Sequence, residues 1–120
     1  MPNLKDIILE YYTRIDASDL DWVLSIFANN CRYNRAGQII QGSAEIEHFY
    51  KSQRKVKLAH SQLESWHDGA NIFVNGLFKG TGADGSVREG EFMDHWQFNS
   101  STKVISRKTS LFSGSNFIEK

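Results

Sequence analysis

Very little in this sequence could crosslink the chain, break it or give it a bulk charge. Its one cysteine, Cys31, excludes an internal disulfide and suits a reducing compartment. A single proline among 120 residues, 40% of them hydrophobic, excludes a disordered or proline-rich chain. Fourteen basic residues cancel fourteen acidic ones, so no net field draws nucleic acid or an anionic membrane surface. No apolar run approaches the roughly 20 residues that span a bilayer. The opening MPNLKDIILEYY lacks the basic segment, apolar run and cleavage site of a secretory signal. The expectation is one cytoplasmic domain over residues 1–120, with no nucleic-acid or membrane partner.

Several chemistries are missing as well. GTGADG at 80–85 imitates a phosphate loop, but no helical pattern follows it. The four histidines have no metal-ligand spacing, and one cysteine cannot complete a thiolate site. There is no G-x-S-x-G elbow. Neither a metal nor an organic cofactor is expected.

Hydrophobic periodicity supplies what is present. Leu4, Ile7, Ile8, Tyr11, Tyr12 and Ile15 form one helical stripe, with Asn3 placed to cap it. A second helix is predicted after Ser18 as cap, with Asp21 reaching back, on the stripe Leu20, Val23, Leu24 and Phe27. A third begins near Ser43 and turns Ile46, Phe49 and Tyr50 inward. CRYNR and QIIQ flank a turn at Ala36–Gly37 and predict a small hairpin. Strands are predicted over about 56–66, 70–80, 86–98 and 103–112, separated by short turns that imply an antiparallel meander. Helices followed by strands predict an α+β domain, three helices wrapped by a strongly curved antiparallel sheet.

One residue breaks the pattern. In EFMDHWQF (91–98), Phe92, Asp94, Trp96 and Phe98 share a strand face, and three of the four are large and apolar. A carboxylic acid on such a face is costly to ionise unless it is paired. Along the strand near 58–66, the same counting puts Leu58, His60, Gln62, Glu64 and Trp66 together. His60 is the one histidine expected to reach a pocket.

YYTRIDASDLDWVLSIFANN, QGSAEIEHFY and EFMDHWQFNSSTKVIS together resemble the ketosteroid isomerase-like branch of the NTF2-like (SnoaL-like) superfamily, over roughly residues 4–112. The resemblance implies a cone with a mostly apolar pocket at its open end, and a homodimer through the outer sheet face, where Met93, His95 and Gln97 point. It places Tyr11 and Asp94 as catalytic donors to an oxyanion, the chemistry of that isomerase. Tyr50 becomes a second pocket tyrosine. Arg35 stands where the isomerases carry their aspartate base, and an arginine accepts no proton at neutral pH. Genuine steroid isomerisation is therefore not expected.

Arg35 either orients an anionic ligand group or pairs with Asp94. Ile15, Phe49 and Trp96 are expected as pocket wall, with Arg35, Tyr50 and His60 as further ligand contacts. The ligand is expected to be a small molecule, apolar or carbonyl-containing. The function expected is an isomerase, cyclase or dehydratase working without cofactor, the alternative being a non-catalytic binding protein.

Overall fold

The structure is a computed structural model that describes residues 3–53 and 57–112. Helix α1 (Leu4–Asp16) buries Ile8, Tyr11, Tyr12 and Ile15, and the Asn3 side chain caps it by accepting from the backbone N–H groups of Lys5 and Asp6. Helix α2 (Leu20–Ser25) starts one residue later than expected. Its cap is Asp19 rather than Ser18, which sits in the left-handed region at φ 59° and turns the chain between the two helices. Asp19 Oδ1 accepts from the Trp22 N–H while Oδ2 receives Arg14 Nη1 at 2.7 Å, so this acid both caps and pairs.

Strand β1 (Phe27–Arg35) and β2 (Gln38–Gln41) form the expected hairpin, with Ala36 and Gly37 both at positive φ. Helix α3 (Ser43–His48) runs into one π-helical turn, Phe49–Gln53. The i→i+5 winding rotates consecutive residues less than an α-helix does, and Phe49 and Tyr50 are both buried.

Strands β3 (Lys57–Asp68), β4 (Asn71–Thr81), β5 (Val87–Phe98) and β6 (Val104–Leu111) follow as an antiparallel meander. Val56, the start of the first strand expected here, lies outside the described residues. The six strands make one sheet in the order β2-β1-β6-β5-β4-β3. It is not wholly antiparallel, because β1 pairs with β6 in parallel. That pairing sets Arg35 beside Thr109, and β5 in turn sets Thr109 beside Asp94.

The expected face of β3 is broken. Gln62 adopts φ 51° and the register slips between Ser61 and Glu64. Leu58 and His60 stay on the inner side, but beyond the bulge Leu63 and Ser65 are half-buried while Glu64 and Trp66 are exposed. Strand β5 has no such fault along β4, so Phe92, Asp94, Trp96 and Phe98 all point into the core.

Candidate functional site

Asp94 is 1% exposed and fully engaged. Tyr12 Oη donates to its Oδ2 at 2.5 Å, Arg107 Nη2 donates to the same oxygen at 3.0 Å, and the Thr109 hydroxyl donates to Oδ1. Trp96 Nε1 in turn donates to Tyr12 Oη at 3.1 Å. The acid on the apolar face is thus the anion of a buried ion pair. Its cation belongs to Arg107 on β6, a residue the sequence reading passed over.

Arg107 is 5% exposed and stacks against three rings, with its guanidinium carbon 4.2 Å from the Trp96 centroid, 4.5 Å from Tyr33 and 4.7 Å from Tyr11. Burial by itself would favour loss of its proton. The facing Asp94 carboxylate, with the oxygens of Tyr11, Tyr33 and Tyr50, outweighs that and holds the guanidinium firmly charged. Its Nη1 donates to Tyr11 Oη at 2.7 Å and to Tyr50 Oη at 3.1 Å, and those two hydroxyls lie 2.8 Å apart.

Two tyrosine hydroxyls carry two protons, and the bond between them uses one. The second has no acceptor among the described residues, and Arg107 Nε is a buried donor equally without one. Beside the network is a cavity of about 20 Å³, lined among others by His60, Asp94, Arg107 and Thr109. That is room for roughly one water molecule.

The expected site residues divide accordingly. Tyr11, Tyr50, Asp94 and Trp96 converge on Arg107. Tyr11 and Asp94 are bridged by that guanidinium, and the hydroxyl that reaches Asp94 is that of Tyr12. Ile15 and Phe49 are buried in the core, and Arg35 lies over the Phe49 ring at 5.1 Å. His60 forms one wall of the cavity and pairs through Nδ1 with Asp16 Oδ1 at 2.6 Å.

Burial raises the pKa of Tyr12 well above the usual tyrosine range, helped by the neighbouring Asp94 charge, and burial likewise raises Tyr50 and Tyr33. The Cys31 thiol is pushed up to about 12 by burial, against the opposing charge of Arg107, and is no nucleophile at neutral pH. Among the described residues, no three His, Cys, Asp or Glu side chains converge on a metal-sized site, and no helix is long and apolar enough to cross a membrane.

N-terminal helices held against a curved, unclosed six-stranded sheet match the NTF2-like cone fold. Within it, the chain belongs to the SnoaL-like domain family, whose pattern matches residues 8–106. No curated protein matches the sequence. Solved structures show the same fold at low identity. An NTF2-like protein of unknown function from Burkholderia pseudomallei superposes with TM-score 0.78 at 21% identity, over 93% of this chain and 92% of that one. A candidate polyketide cyclase from Pseudomonas putida gives 0.84 at 12%, over 96% of each chain. SalBIII, an epoxide hydrolase/cyclase-like enzyme with a role in pyran ring formation in the polyether salinomycin, gives 0.77 at 17%, over 97% and 95%.

Proposed function

We propose that this protein is a small-molecule enzyme of the isomerase, cyclase or dehydratase type, acting without a cofactor on a compact apolar substrate that bears a carbonyl, enol or epoxide oxygen. One observation carries the reading. A single guanidinium joins Tyr11, Tyr50 and Asp94 in an apolar interior, leaving its Nε–H, one Nη2–H and one tyrosine O–H unspent. Donors fixed in advance in such surroundings stabilise negative charge developing on a substrate oxygen by a few kcal/mol each.

In this reading Tyr11 and Arg107 polarise the oxygen. Asp94 holds Arg107 charged and aimed, and Arg35, over Phe49, orients any anionic group of the substrate. A substrate larger than water enters only if the Arg107 side chain shifts. The epoxide hydrolase/cyclase-like and polyketide cyclase relatives support this class by analogy of fold alone.

The second reading, a non-catalytic binding protein, is favoured by the set of donors already satisfying Asp94. Titrating the protein with phenol or naphthol, followed by fluorescence between about pH 5 and 9, separates the two, since these ligands mimic an enolate oxygen. The enzyme reading expects binding that weakens about tenfold or more in Tyr11→Phe, the loss of a hydrogen bond to charge. If the wild type binds nothing and Asp94→Asn merely destabilises the fold, the network is structural.

We further propose that the outer face of β4 and β5, where His95 stacks on Phe73 at 4.5 Å between Met93 and Gln97, meets a second copy of the chain. Sedimentation equilibrium should give a dimer mass, and a monomer at tens of micromolar would dismiss this pairing.

A further inference from the structure

The Asp16–His60 pair belongs to none of the bonds described around Arg107, yet it stands at the same cavity. Asp16, the last residue of α1, grips β3 twice. Its Oδ2 accepts the His60 backbone N–H at 2.8 Å, and its Oδ1 lies 2.6 Å from His60 Nδ1. A carboxylate only accepts, so in the neutral ring Nδ1 carries the proton and the lone pair is left on Nε2. That nitrogen has no partner among the described residues.

The ring is held on two further sides, edge-on to Phe92 at 5.5 Å and tilted against Tyr12 at 5.1 Å. Its side chain is 9% exposed and shares the cavity wall with Asp94, Arg107 and Thr109. The charged or titratable groups around it are Asp16 and Tyr12 of α1, Asp94 of β5 and Arg107 of β6. A plain staple between α1 and β3 would need only the backbone bond. It would not need an oriented imidazole with a spare lone pair beside a buried guanidinium.

We propose that His60 is the general base of this site and that Asp16 is the residue positioning it. The inference rests on the enzyme reading above and supplies the base that Arg35 cannot be. In the step, a substrate C–H or O–H bond breaks and an Nε2–H bond forms. The electron pair stays on the substrate, drawn toward the oxygen that Arg107 and Tyr11 polarise. The proton then returns to another atom of the product, so an isomerisation or ring closure consumes nothing and leaves the dyad as it began.

The test uses 5-nitrobenzisoxazole. A positioned base removes its C3 proton, the ring N–O bond breaks, a nitrile forms and the electron pair leaves on the phenolate oxygen, which is read by absorbance. The wild type should outpace free imidazole at equal concentration, and His60→Gln should lose about a hundredfold or more of the rate. In nitrogen-detected histidine spectra the wild type should show His60 protonated at Nδ1. Asp16→Asn, whose amide both donates and accepts, should mix the tautomers and slow the reaction with the circular dichroism unchanged.

Equal rates in wild type and His60→Gln overturn the proposal. So does an Nε2–H tautomer in the wild type, a result that needs no variant to fold. If elimination depends on His60 while the wild type binds no phenol, the base stands and the polarised-oxygen reading falls.

Discussion

Asp94 owes its place among apolar side chains to Arg107, and each secures the other. Replacing one partner of a buried ion pair strands the other charge, at a typical cost of about 3–5 kcal/mol. Chemical denaturation of Asp94→Asn and Arg107→Met should each show losses of that order. The double variant should lose less than the sum, with a coupling of about 1–3 kcal/mol. Strict additivity would mean that the two side chains do not act as a pair.

At this scale, Asp94 was legible because β5 alternates without interruption along β4. Arg107 was not. Counting by twos from the buried Val104 leads to Ser106 and Lys108, whereas the inward residues are Arg107 and Thr109. A register shift opposite Gln97 and Phe98 reverses the parity, and nothing in KVISRKTS announces it. Tyr11 and Tyr12 share one helical stripe, so periodicity could not tell which hydroxyl meets Asp94. His60 could be singled out from its strand, but its partner Asp16 comes from another element, through a tertiary contact that no local pattern encodes.

Among the elements, the junction of α1 and α2 depends on Asp19. Arg14 holds its carboxyl below the usual carboxylate range, and the Trp22 N–H adds to the effect. Because the folded-state pKa is depressed, the stabilisation is present above about pH 4 and disappears as pH falls through the folded value. Asp19→Ala should therefore lower the Tm by a few degrees near neutrality, and thermal melts should show the gap to wild type closing in acid. A constant gap across that range would mean that the carboxylate charge plays no part. The helices and the hairpin were readable from their caps and turn residues. The bulge at Gln62 was not, since a left-handed glutamine carries no signal of its own.

Over the whole molecule, the tyrosines set the alkaline limit. Tyr12, Tyr33 and Tyr50 all have pKa values raised, first of all by burial. An unfolded chain sheds these protons near pH 10 while the folded one keeps them. Their contribution to stability is thus whole below that pH and is lost as pH rises beyond it. Ultraviolet titration of phenolate should show these three ionising in one step together with the loss of circular dichroism. Gradual ionisation near pH 10 in a still-folded protein would contradict their burial.

The parallel pairing of β1 with β6 also orders events in time. A ribosome releases β1 and its hairpin partner long before β6, so one edge of β1 stays open until nearly all of the sheet has been made. Arg107 and Thr109 arrive on that late strand. Until then Asp94, Tyr11 and Tyr50 lack the cation that joins them. A nascent chain stalled before residue 104 should therefore carry an unzipped sheet edge and an unpaired acid, the features that invite chaperones.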